Sequence, residues 1–148
     1  MASRRKGRIL AFQALYSWDA QYSLTKDPSI PEGLLDFDWS LKADGKSALS
    51  DETAAFSRLL VTGTVENITR VDKMIQKHLI NWNIQRLSRV DLALLRMSAY
   101  TLMFQNEIPA TIVIDEAIGI SKEYGTDDSY RFVNGVLDGI LKTLNTAA

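Results

Sequence analysis

From Val90 to Phe104 the chain is apolar on nearly every face of a helical wheel, with Arg89, Asp91 and Arg96 as the main exceptions. A helix with no face to give to water must be enclosed by others. The stretch falls short of the ~20 apolar residues that a membrane span requires. It therefore reads as the central buried helix of a helical protein. Ser88-Arg-Val-Asp91 ahead of it has the shape of a capping box, with Asp in place of the usual Glu. Asn106 to Pro109 ends it.

The flanking segments fit the same plan. Ser3 is a candidate cap for a first helix running through Arg8 to Trp18. Ile9, Phe12, Leu15 and Tyr16 form one apolar face of it, and Leu10, Ala14 and Trp18 a second. Core packing is the default expectation for Tyr16. Residues 21–50 read as irregular, with a short helix around Glu32 to Asp38 and an exposed loop over 40–49. Ser50-Asp51-Glu52 is a helix start, with a hydroxyl cap and acids facing the positive end of the dipole. Phe56, Leu59, Leu60, Thr64, Ile68, Val71 and Ile75 then predict one helix reaching Leu79, the longest in the chain. Gly63 inside it marks a candidate close crossing. A helix over Ile112 to Glu123 follows, ending at a C′ glycine, Gly125. Thr126 caps the last helix, whose first turn holds Asp127 and Asp128 and whose core stripe runs through Val133, Val136, Leu137, Ile140, Leu141 and Leu144. Strand signals are confined to Ala110–Ile114, too short to build a sheet. The fold class is all-α, with about seven helices in a single domain spanning 1–148.

Composition removes most chemistry. The chain has no cysteine and one histidine, His78, so thiol chemistry, cysteine-ligated metals and histidine clusters are excluded. We expect no metal, no cofactor and no enzyme. Asp115-Glu116 and Asp127-Asp128 are neighbours on helices, about 100° apart, so neither pair aims two acids at one atom. No phosphate loop or nucleophile elbow occurs. The start resembles a signal peptide only in its charge, and the expected location is cytoplasmic, with no membrane association.

A binding protein remains. The net charge of −1 hides an asymmetry: residues 1–8 carry Arg4, Arg5, Lys6 and Arg8 with no acid, whereas residues 19–57 carry eight acids against three lysines. Arginine suits bidentate contact with phosphate. Phe132 lies about 110° from the core stripe of the last helix at ~100° per residue. It sits beside Arg131 and one turn after Asp128. That placement suits stacking on an unpaired RNA base; packing against a neighbouring helix is the plainer alternative.

Several stretches together resemble the NusB-type transcription antitermination factors. They are Arg4-Arg5-Lys-Gly-Arg8, Ala14-Leu15-Tyr16-Ser17-Trp18-Asp19, Arg89-Val-Asp91 with Leu94-Leu95-Arg96, Ile108-Pro109 followed by Asp115-Glu116-Ala117, and, most distinctive, Tyr124-Gly125 through Asp128-Ser129 to Phe132-Val-Asn-Gly-Val-Leu-Asp138. The resemblance implies two small helical bundles packed across each other and no catalysis. It implies binding of boxA, a short single-stranded element of ribosomal RNA leaders, as a heterodimer with the small-subunit ribosomal protein NusE. The complex helps RNA polymerase read through termination signals. By the same resemblance, Arg4, Arg5 and Arg8, with Lys6 among them, match the RNA-binding start. Phe132 matches the aromatic near the RNA, flanked by Asp128 and Arg131, while Tyr16 and Asp91 match the ribosomal-protein interface. Arg96 and Asn134 match positions read as structural. Gly7, where the family often has Ala, is expected to loosen the first turn and leave the arginines mobile. Some members pair with themselves, so a homodimer is also open. Two alternatives stand: a helical protein-binding adaptor, and an RNA-binding domain related to the one that precedes some ribosomal RNA cytosine methyltransferases.

Overall fold

A computed structural model describes residues 4–39 and 49–147. The expected Ser3 cap, and the loop over 40–49 apart from Leu49, lie outside the described residues. Six α-helices lie within them: α1 (Arg4–Thr25), α2 (Asp51–Glu66), α3 (Ile68–Lys77), α4 (Arg89–Phe104), α5 (Ala110–Tyr124) and α6 (Ser129–Ala147). Two single 3-10 turns, Leu34–Asp36 and Ile84–Arg86, complete the order. The described residues contain no strand. The all-α expectation holds; six α-helices lie within the described residues, against about seven expected for the chain.

The Val90–Phe104 segment behaves as its sequence demands. Every residue of α4 from Leu92 to Leu102 is buried. Helices α1, α2, α3, α5 and α6 all pack against it. Ser88 caps it, its Oγ accepting from the Asp91 N–H at 3.0 Å. The capping box does not close, however: the Asp91 Oδ1 has no hydrogen-bond partner.

Helix α1 is longer than its apolar pattern suggests. It continues through Gln21–Thr25 into the stretch read as irregular, and at 22 residues it is the longest helix. Lys26 ends it in a left-handed conformation (φ 57°), its N–H bonding to the Tyr22 carbonyl at 2.8 Å. The single helix expected from Ser50 to Leu79 is instead two. Asn67, at φ −113° and ψ 21°, separates α2 from α3; its N–H still bonds to the Gly63 carbonyl at 3.2 Å, and its Nδ2 donates to the same carbonyl at 2.8 Å. The apolar period runs through the break unshifted, and Leu60, Thr64, Ile68, Val71 and Ile75 are all buried; Leu59 is not.

Gly63 does mark a close crossing. A Cβ there would overlap the hydroxyl and ring of buried Tyr100 on α4. Gly125 works differently from a left-handed C′ glycine. Its φ is −93°, and it is needed for space: a Cβ would come within 2.7 Å of Ser129 and 2.8 Å of the Ser121 carbonyl. At the start of α6 the cap is formed by Thr126 and Ser129, with the Thr126 N–H donating to Ser129 Oγ at 3.0 Å. Asp127 and Asp128 are exposed in the turn before the helix.

One buried polar cluster ties α1, α3 and α4 together. Arg96 is 3% exposed. Its Nη1 donates to Asp19 Oδ1 at 2.7 Å, its Nε to Asp72 Oδ1 at 2.8 Å, and its Nη2 to Asp72 Oδ2 at 2.9 Å. Arg89 Nη1 reaches the other oxygen of Asp19 at 2.9 Å. Burial opposes the charge of Arg96, but the hydrogen bonds and negative charge of Asp72, then of Asp19, outweigh it and raise its pKa. Arg96 is structural, as read. Asn134 is not a packing or cap residue; it is exposed on α6.

Candidate RNA and partner-protein surface

The basic head is the first turn of α1. No acid lies in that turn, so the cations crowd the positive end of the helix dipole, where negative charge is favoured. The fold supplies part of that charge from α5. Glu116, Gly119 and Glu123 fall on one face of α5, three and four residues apart. Arg5 lies along this face, 3.7 Å from Glu116 and 3.3 Å from Glu123. Gly119 makes the notch, since a Cβ there would stand 2.9 Å from the Arg5 guanidinium. Arg4 sits 4.3 Å over the ring of Phe56 on α2 and Arg8 5.3 Å from its centre.

Arg8 differs from its neighbours. It is buried at 7% exposure, with Glu116 at 3.9 Å. Burial lowers its pKa; Glu116 opposes this and Arg4 adds to it. Arg4, Arg5 and Lys6 are exposed. Gly7 does not loosen the turn. It lets Phe56 press against α1, where a Cβ would meet that ring at 2.7 Å, and its carbonyl accepts from buried Ser57 Oγ at 2.8 Å. Each of the three arginines has a partner: Arg4 and Arg8 the Phe56 ring, Arg5 the two α5 carboxylates.

Tyr16 is 47% exposed, against the core default. Phe12 and Leu15 take the buried positions on that side of α1. Tyr16 is left on the rim of a groove of about 190 Å³ with Phe12, Gln13, Val90 and Tyr124. The Tyr124 ring leans on Phe12, with centroids 5.4 Å apart.

Phe132 is partly buried. It lines a pocket of about 300 Å³ with Trp82, Arg86, Leu87, Ser88 and Asp91. Asp128 and Arg131 are exposed nearby along the chain. Arg131 turns towards Tyr130, donating from Nε to its hydroxyl at 3.0 Å. The structure thus places two groups of expected site residues together: Arg4, Arg5 and Arg8 around Phe56 and Glu116, and Phe132 with Asp91. It does not join the groups by a direct ion pair or ring contact. Tyr16 lies between them in the sense that its groove includes Val90, next to Asp91, and Tyr124, next to Glu123, the partner of Arg5.

Sequence reasoning missed Glu116 and Glu123 as partners of Arg5, Phe56 as the arginine platform, and Trp82 in the Phe132 pocket. The Glu-x-x-Gly-x-x-x-Glu spacing on α5 was the available signal for the first two. Among the described residues no group of three or more acids and histidine could hold a metal ion, and no helix is long and apolar enough to cross a membrane. His78 is committed to structure, its Nε2 paired with Thr143 Oγ1 at 2.8 Å.

Among the described residues these features make an all-helical protein with a cationic helix start and aromatic-lined grooves. The family model described as the NusB family matches residues 5–142. The transcription antitermination protein NusB of Treponema denticola is 49% identical over 93% of this chain and 94% of its own length. A solved T. maritima NusB superposes with a TM-score of 0.75 at 36% identity, covering 96% of this chain and 93% of that one. A solved complex of antitermination factors NusB and NusE with dsRNA superposes with a TM-score of 0.77 at 28% identity, covering 95% of this chain and 96% of that one. The chain belongs to the NusB family of transcription antitermination proteins.

Proposed function

We propose that the chain is a non-catalytic antitermination factor that binds boxA-type single-stranded RNA together with NusE. The RNA polymerase antitermination complex would then read through termination signals on ribosomal RNA operons. Among the residues themselves, the observation that carries this reading is the α1 start. Four cations gather at the positive end of a helix dipole, partly balanced by two carboxylates that a phosphate can replace. Arg4, Arg5 and Lys6 give phosphate contact and salt dependence. Arg8, being buried, holds Phe56 and Glu116 in place beneath them. Phe132 stacks on a base, with Asp128 and Arg131 beside it. The Tyr16 groove and Asp91 take NusE, which extends the RNA surface of a nearly neutral protein.

The same reading has the chain work as one cytoplasmic domain, with α1–α3 and α4–α6 as two small bundles crossing at α4. In vitro transcription tests it. With NusE and the other components of the complex present, adding the chain should raise read-through on a template carrying boxA and not on one with boxA scrambled. Equal read-through on both templates overturns the proposal. Binding to NusE without any RNA dependence would instead favour the protein-binding adaptor.

A further inference from the structure

The Phe132 pocket has a second aromatic lining residue that the family reading does not use. Trp82 stands on the segment between α3 and α4 and is 55% exposed. Leaving a large aromatic half in water forgoes much of its burial energy. The segment is nevertheless held. Gln76 of α3 donates from Nε2 to the Trp82 carbonyl at 2.8 Å and accepts at Oε1 from the Ile84 N–H at 2.8 Å. Asn81, in a left-handed conformation (φ 62°), turns the chain just before it.

Trp82 and Phe132 line one pocket of about 300 Å³ and make no ring contact with each other. Arg86 lines the same pocket, is exposed, and has no ion pair among the described residues. Two aromatic side chains and an unpaired cation on one pocket match two parts of a nucleotide, the base and its phosphate.

We propose that Trp82 is a second stacking platform, so that one unpaired RNA base is held between Trp82 and Phe132 with Arg86 on its phosphate. This rests on the RNA-binding reading above. It adds a base-binding residue outside the arginine head and the last helix.

The test is a fluorescence titration of a boxA-type RNA oligonucleotide, with and without NusE, using wild type, Trp82→Ala, Trp82→Phe, Phe132→Ala and the double alanine variant. NusE affinity is measured in parallel. Thermal unfolding checks each fold, and the exposure of Trp82 makes its loss tolerable. Stacking on one base predicts that Trp82→Ala weakens RNA binding about 5- to 150-fold and that Trp82→Phe retains most of the affinity. The double variant should lose less than the product of the two single losses, because both act on the same base. Wild-type RNA affinity in Trp82→Ala, while the wild type itself binds RNA, overturns the proposal and leaves the function standing. Loss of NusE affinity with RNA affinity intact also overturns it and assigns the pocket to the protein partner. No RNA binding by the wild type in either condition overturns both.

Discussion

Removing the Arg96 side chain should be among the most damaging single changes this fold can suffer. Arg96→Met keeps most of the volume but takes a partner from each of two acids. Asp72 loses both of its bonds to Arg96, at 2.8 and 2.9 Å. Asp19, itself 2% exposed, keeps only Arg89. Breaking a buried ion pair by removing one partner costs about 3–5 kcal/mol, because the remaining charge is buried and uncompensated. Total stability for a domain is about 5–15 kcal/mol. At this size 1 kcal/mol moves the midpoint by roughly 2–4 °C, so Arg96→Met should melt about 6–20 °C lower. Arg96→Lys keeps the charge but not the fork, and should fall between. Adding Asp19→Asn and Asp72→Asn to Arg96→Met should recover part of the loss, since those two charges are gone. Thermal and urea unfolding followed by circular dichroism measure all four proteins. Arg96→Met within about 1 kcal/mol of wild type would refute the view that this network clamps α1 and α3 to α4.

Three further outcomes are expected. Gly63→Ala gains about 1 kcal/mol of helix propensity but drives a Cβ into buried Tyr100; the net effect should be destabilising, read as a lower melting temperature, and a higher one would show that α2 and α4 can part without penalty. Glu123→Gln should loosen Arg5 from α5 and tighten RNA binding up to about 5-fold, the scale of one exposed ion pair, with a steeper salt dependence; weaker binding would mean that Glu123 positions Arg5 for the RNA. Changing Arg4, Arg5 and Arg8 together to Ala should weaken RNA binding and flatten its dependence on salt, and an unchanged slope in a titration at several salt concentrations would remove the arginine head from the RNA site.

Helix content was legible because burial leaves a direct trace in the apolar pattern. Val90–Phe104 had no polar face, and α4 has none exposed between Leu92 and Leu102. The break at Asn67 left no such trace. The apolar period continues across it, and only the backbone angles of one residue, Asn67, leave the helical range. The extent of α1 was hidden for the opposite reason: Gln21–Thr25 is mostly polar, and its link to the core is Tyr22, whose ring stacks on Trp18 at 4.4 Å and lies 5.5 Å from Arg96. Site residues were legible by type and not by exposure. Periodicity put Tyr16 on an apolar face, yet Phe12 and Leu15 fill the space there and leave it outside. The cations were plain in the sequence, but their partners on α5 and the Phe56 platform lie about 50 to 120 residues away along the chain, which no local pattern reports.

The most direct test of the central claim, that this fold presents RNA and NusE with one joint surface, is a comparison of affinities for a boxA-type oligonucleotide. It is titrated against the chain alone and against the chain mixed with NusE, beside a scrambled oligonucleotide. The account predicts tighter binding of boxA RNA by the mixture than by either protein alone, and weaker binding of the scrambled sequence. Equal affinity for both sequences, or no gain from NusE, would contradict it.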